Sequence, residues 1–387
     1  MSTQATPTPP AAVPAALAPD DRSALARLAA DLVAIDSRSA VSNLALAERI
    51  EAELGGFEVE RLDYTDAAGV PKRALVAHRG PPGGHALSGH MDTVPETGWR
   101  EDPWAPRLGA EGVLHGLGSV DMKGPLAACI VAARSVPEHV PATLLITTDE
   151  ETTKAGARAV AGSALARRLG LRGVLVAEPT GLVPVRGHRA SVSITATAEG
   201  VQAHSSTGRG RNANWDLIPF LAEMHALAQR LRDEPAFRDP AYDPPFPDFN
   251  LVIDNHGTAV NVTVPRATCR IKFRRSRALR PEPVLEVVRA AAERAGVRLE
   301  ISAEGEAPEL PDDHPLVRLC AELTGRAPAT VPFGTDAVEL QRLAPCIVLG
   351  PGDIGRAHTP EECVPLAELA AAVPLMTRFL VCGAASA

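Results

Sequence analysis

Apolar residues recur at helical spacing over residues 23–35 and 44–54, then give way to short apolar runs at 74–77 and 86–89. The same alternation continues downstream. Helical patterns cover 123–136 and 155–169, and runs apolar on both faces cover Ala142–Thr147 and 173–177. Strands buried on both faces, alternating with helices, predict an α/β fold with a mainly parallel sheet flanked by helices.

The pattern changes near Gly187. Residues 191–198 alternate small or polar with apolar side chains, as in a half-exposed strand, and 215–231 form an amphipathic helix. Further strands are predicted at 248–253 and 267–273, with a second helix at 284–295; together these make an inserted α+β unit. Helix and strand patterns then return at 315–323, 337–343, 346–349 and 366–380. A chain of 387 residues exceeds the ~250–300 that one core sustains, so two domains are expected. The boundaries read as a catalytic α/β domain over 21–186 and 300–387 and an insert over 187–299. Residues 1–20 hold five prolines and no Lys or Arg, and read as a disordered lead-in without the basic start of a signal peptide.

Composition narrows the function classes. With 45% hydrophobic and 22% charged residues the chain is globular, and its net charge of −8 argues against nucleic-acid and anionic-membrane partners. No apolar run approaches the ~18–20 residues that a membrane span needs. The six cysteines contain no C-x-x-C pair and lie mostly in apolar segments, which suits reduced thiols and a cytoplasmic protein.

Candidate chemistry gathers at strand ends. His90 closes one apolar run, and Asp92 two residues on can receive one ring N–H while the other nitrogen faces a cation. Asp149, Glu150 and Glu151 follow Ala142–Thr147, where three like charges repel unless a cation is near. Glu178 follows a third buried run, and His358 lies beyond a Gly-Pro-Gly turn after the fourth. Asp121 sits in a Gly-rich loop that opens a helix. Ligands in open α/β sheets bind outside the carboxyl ends of the strands. Two His and several carboxylates suit Zn²⁺, Mn²⁺ or Co²⁺, and the lack of a thiolate cluster argues against a structural zinc knot.

The segments SGHMDTVP, GLGSVDMKG, TTDEE, AEPT, GVQAHSS, GTAVNVTVP, FGTDA and GPGDIGRAH, taken together, resemble the co-catalytic metallohydrolases that include acetylornithine deacetylase, succinyl-diaminopimelate desuccinylase, aminoacylase and glutamate carboxypeptidase. The resemblance runs over about residues 24–380. It implies a zinc-peptidase-like catalytic domain with an inserted lid that also mediates dimerisation. It also implies two divalent ions, zinc foremost with Co²⁺ or Mn²⁺ as alternatives. One ion would be held by His90 and Glu178, the other by Glu151 and His358, with Asp121 bridging. Glu150 would be the general base, Asp92 would orient His90, and His204 would stabilise the tetrahedral intermediate, often from a partner subunit. Asn261, Arg275, Gly334 and Thr335 are candidate substrate contacts, Arg275 as a fork for a substrate carboxylate, with a basic strand end in solvent as the equal alternative.

The implied reaction is hydrolysis of an N-acyl amino acid or similar amide by a homodimer, with Glu178 leaning toward the deacylase branch. Bound metal lowers the pKa of water from about 15.7 to about 7, and a non-ligand carboxylate must then carry the proton to the leaving amine. A carboxypeptidase or dipeptidase acting on a short peptide is the alternative within this chemistry. A non-catalytic binding relative is the alternative outside it, although a binder has no use for Glu150. Departures from the family pattern at Leu117, Pro125, Thr152 and Arg274–Arg277 leave the proposed ligands intact and bear on the substrate.

Overall fold

The computed structural model describes residues 17–109 and 111–385. Most of the expected disordered lead-in, residues 1–16, lies outside the described residues. Its last two positions are already helical, because the first helix spans Pro19–Val33 rather than 23–35. Pro19 has no N–H to satisfy in the first turn, and Asp20 and Asp21 face the positive end of the helix dipole.

The chain divides into two compact units. One runs through Gly187 and resumes over Leu310–Ala329 and Thr335–Ala387; the other holds His188–Glu309 and Thr330–Gly334. The first contains an eight-stranded mixed sheet. At its centre Ala142–Thr147, His85–His90, Gly173–Pro179 and Cys346–Gly350 lie side by side, all parallel and all buried. Pro71–Arg79 and then Glu58–Thr65 continue the sheet antiparallel on one side. Helix Lys123–Ser135 packs on His85–His90 and against Pro19–Val33 and Leu366–Ala385. These helices close a core of Leu32, Leu87, Leu126, Ile347, Met376 and Phe379.

The last helix corrects the expectation about apolar runs. Leu366–Ala384 is long and apolar enough to cross a membrane by length and composition. Glu368, Pro374 and Arg378 interrupt it in sequence, and Leu369, Val373, Met376 and Leu380 are buried in the core, so its apolarity has a packing cause.

The second unit is a four-stranded antiparallel sheet in the order Asp248–Asp254, Arg266–Arg275, Ala190–Glu199, Arg298–Ala303. Val192, Ile194, Ile271 and Phe273 pack with Phe220 and Met224 of helix Asn214–Asp233 and Val288 of helix Glu282–Ala295. The insert therefore runs beyond 299, since a boundary there would cut the strand Arg298–Ala303. That strand and Glu58–Thr65 left little trace in the hydrophobic pattern because both are edge strands, alternating between exposed and half-buried positions. The helix predicted at 155–169 breaks at Ser163, whose hydroxyl accepts the Ala166 N–H and restarts the chain as a second helix. The helix predicted at 337–343 is one turn long, Ala337–Leu340.

Candidate metal centre

Parallel neighbours end at the same edge of a sheet, and the four central strands supply most of the site there. His90 is the last residue of its strand, Glu178 lies next to the end of Gly173–Pro179, and Glu150 and Glu151 follow Ala142–Thr147. Asp121 arrives from the loop before helix Lys123–Ser135, and His358 from the irregular segment after Cys346–Gly350.

These side chains meet around Asp121. His90 Nε2 lies 3.0 Å from Asp121 Oδ1 and 3.8 Å from Glu178 Oε1. His358 Nε2 lies 3.3 Å from the other oxygen, Asp121 Oδ2, and 3.0 Å from Glu151 Oε1. The donor atoms of His90, Asp121 and Glu178 fall within 4.8 Å of one another, as do those of Asp121, Glu151 and His358. One carboxylate thus faces two His–Glu pairs, one oxygen to each.

Donor atoms of His90, Glu150 and Glu151 are also within 4.8 Å of one another. Glu150 differs in its partner, because Lys154 Nζ sits 2.7 Å from its Oε1. An ammonium already neutralises that carboxylate, which makes it a poorer cation ligand than Glu151.

Asp92 works differently from the sequence expectation. The backbone carbonyl of Asp92, not its carboxylate, accepts the hydrogen bond from His90 Nδ1, at 2.9 Å; the nearest carboxylate oxygen is 3.6 Å away. The carboxylate instead accepts the N–H groups of Glu150 and Glu151 at 3.1 and 3.2 Å and the Ser39 hydroxyl at 2.7 Å. One residue therefore holds both the first histidine and the acidic turn.

Groups that sequence reasoning passed over support that turn. Asp149 takes a left-handed backbone, φ 61°, and its carboxylate receives Tyr64 Oη at 2.8 Å and the fully buried Lys72 ammonium at 3.2 Å. Lys72 Nζ also donates to the carbonyls of Ser39 and Val41, both at 2.7 Å. Asp336, the acid of the FGTDA segment, is buried with Thr147 Oγ1 donating to it. Only that motif could have flagged it; Lys72 and Tyr64 lie in strands that sequence alone gives no reason to place here.

Electrostatics show what the cluster lacks. Burial pushes Glu151 up to about 7 against the pull of His358. Burial and Asp121 raise Glu178 well above the usual carboxylate range. Hydrogen bonds to Asp121 and Glu151 raise His358 to about 10. Burial opposes charge on His90, yet Asp121 and Glu178 still hold its pKa well above the ordinary histidine value. Burial also opposes the Asp121 charge, but His358 and His90 hold that carboxyl well below its usual range. Protons occupy positions where positive charge is needed, and oxygen and imidazole donors in this number fit a pair of divalent cations.

The remaining candidates lie partly in the second unit. His204 is exposed, and its Nδ1 accepts the Ser206 N–H at 3.3 Å. Asn261, also exposed, is held beside it by the Ser205 N–H donating to its carbonyl at 3.0 Å. Arg275 does not present an open fork. Only 7% exposed, it donates to the carbonyls of Leu279 at 3.1 Å and Gly305 at 3.4 Å, because its strand position turns the side chain inward. A Cβ on Gly334 would come within 3.3 Å of the Arg189 carbonyl. Thr335, in the first unit, is fully buried, and its hydroxyl accepts the Ala337 N–H at 3.1 Å.

Imidazoles and carboxylates converging at the ends of the parallel central strands form a candidate site for divalent cations. Residues 86–381 match the family described as Peptidase family M20/M25/M40. The chain belongs to this family and is a metal-dependent amidohydrolase. It is 33% identical to acetylornithine deacetylase of Myxococcus xanthus, covering 94% of this chain and 99% of the relative. The acetylornithine deacetylase of Proteus mirabilis is 33% identical, covering 90% and 92%. Among solved structures, a dipeptidase from Saccharomyces cerevisiae aligns with a TM-score of 0.72 at 15% identity, covering 94% of this chain and 96% of that one. A metallo-carboxypeptidase from Sulfolobus solfataricus aligns with a TM-score of 0.71 at 16% identity, covering 92% and 98%. At such identities these two likenesses speak to the fold.

Proposed function

We propose that the protein is a two-metal deacylase that hydrolyses an N-acyl amino acid or a similar small amide. The observation that carries this reading is the position of Asp121, one oxygen toward His90 and Glu178 and the other toward His358 and Glu151. Similarity to two acetylornithine deacetylases over nearly the whole chain favours deacylation over peptide cleavage.

His90 and Glu178 would hold one ion, Glu151 and His358 the other, and Asp121 both; zinc suits this donor set best. Such ions supply Lewis acidity toward the scissile carbonyl and make water acidic near neutral pH. Glu150 takes the proton from the attacking water and returns it to the leaving nitrogen. Lys154 holds one oxygen of that carboxylate, which limits its rotation. Ser206 engages Nδ1 of His204, which leaves Nε2 as the ring nitrogen that would face an oxyanion. Asn261 beside it and the backbone at Gly334 are the remaining substrate contacts in this reading. Cys129, Cys269, Cys320 and Cys346 are buried thiols, which fits the reducing conditions of a cytoplasmic setting. Exposed Trp215 and Ile218 on one helix, and exposed Val252 and Ile253 on an edge strand, fit a homodimer formed through the second unit.

The test is Glu150→Ala in metal-loaded protein, assayed on N-acetyl and N-succinyl amino acids and on dipeptides. Metal content stays at two ions per chain while kcat falls by roughly 10²–10⁴. Unchanged turnover would remove Glu150 as the base, and faster cleavage of dipeptides by the parent enzyme would replace deacylase with dipeptidase.

A further inference from the structure

His358 is a proposed ligand that no regular element holds. It follows the turn at Ile354–Arg356, has a left-handed backbone with φ 61°, and its side chain is 51% exposed. Asp121 likewise sits in a loop, between Gly116 and the start of helix Lys123–Ser135. Their separation of 3.3 Å must nevertheless be set closely if both are to share an ion.

One buried residue joins the two segments. Glu362 is 1% exposed and lies four positions after His358. Its Oε1 accepts the backbone N–H groups of Val120 at 3.0 Å and Asp121 at 3.1 Å. Its own carbonyl accepts the Gly116 N–H at 3.2 Å, so it grips both ends of the Asp121 loop. Its N–H donates to the carbonyl of Thr359, the residue next to His358, at 3.2 Å. Immediately afterward Cys363–Pro365 pairs antiparallel with Val113–His115, which continues the same junction as a small sheet. The contacts of Glu362 therefore run to the backbone on each side of the proposed ion pair, and they occupy an acceptor that a buried carboxylate must satisfy.

We propose that Glu362 is the positioning residue of this centre, fixing the bridging carboxylate Asp121 relative to His358 and so setting affinity for the ion on the His358 side. This rests on the two-metal reading above. Glu362 touches neither ion nor substrate; it acts through the Asp121 main chain, in the manner of groups behind metal ligands whose loss costs about 10–100-fold in affinity.

The test titrates metal-free protein with Co²⁺ alone, followed by calorimetry and by the visible absorption of bound cobalt. Parent protein is compared with Glu362→Ala, Glu362→Asp and Glu362→Gln. Parent protein binds two ions; if it binds fewer, the two-metal reading fails before the role of Glu362 is at issue. Glu362→Ala binds its second ion about 10–100-fold more weakly, with an altered cobalt spectrum. Glu362→Gln keeps an acceptor in place and binds that ion more tightly than Glu362→Ala. Glu362→Asp keeps charge and fold but falls one methylene short, and shows the same weakening should the alanine variant not fold. Second-ion affinity and spectra equal to the parent in Glu362→Asp, or in folded Glu362→Ala, would overturn the inference.

Discussion

Asp92 and Arg275 show how far a residue's chemistry depends on which atom reaches the site. Spacing alone placed the Asp92 carboxylate on His90, but a strand end delivers the carbonyl there and frees the carboxylate for the Glu150 and Glu151 N–H groups. Arg275 had the right functional group for a substrate carboxylate, yet its donors point at Leu279 and Gly305. Arg275→Ala should therefore lower stability by about 1–3 kcal/mol, the cost of leaving buried polar groups unpaired, while KM stays near its parent value. Urea unfolding and steady-state kinetics on one preparation check this. A raised KM at unchanged stability would return Arg275 to substrate binding.

At the scale of elements, four parallel strands end together and bring several carboxylates into one buried space. Without cations that space is held by protons. Burial pushes Glu151 and Asp336 up to about 7, against roughly 4 in an unfolded chain, and hydrogen bonds to Asp121 and Glu151 raise His358 to about 10. Each of these groups binds its proton more tightly folded than unfolded. Their contribution is complete below the unfolded pKa and is lost as pH rises, through about 7 for the carboxylates and about 10 for His358. Asp121, held low by His358 and His90 against its burial, has the opposite sign and matters only in acid. Chelator-treated protein should thus lose thermal stability from about pH 5 to pH 8, and Zn²⁺ should restore it by replacing the protons. Thermal unfolding across that range, with and without zinc, measures both effects. A melting temperature of the chelated protein that climbs with pH would contradict this account of the cluster.

For the whole molecule, the second unit keeps a full hydrophobic core while leaving Trp215 68% exposed and Val252 and Ile253 about half exposed on an unpaired edge. An exposed edge strand with apolar side chains is a surface that proteins usually cover. The chain of 40.5 kDa should sediment at twice that mass. Replacing Trp215 with Glu and Ile253 with Lys together should return it to the single-chain value. Parent protein sedimenting as a single chain would reject the dimer.

Much of this protein was legible in order along the chain. Burial on both faces marks central strands such as Ala142–Thr147 directly in the hydrophobic pattern, and the acids and histidines at their ends stand out because apolar runs precede them. Edge strands such as Glu58–Thr65 escaped because one face meets water and their composition resembles a loop. Lys72, Tyr64 and Glu362 escaped for a different reason. Their significance lies in partners up to 242 residues away, as with Glu362 and Val120. Local sequence determined which residue types could hold cations and which elements would carry them. The tertiary fold alone decided which oxygen faces which histidine, because hydrogen-bond geometry is settled to tenths of an ångström by packing between segments that are remote in sequence.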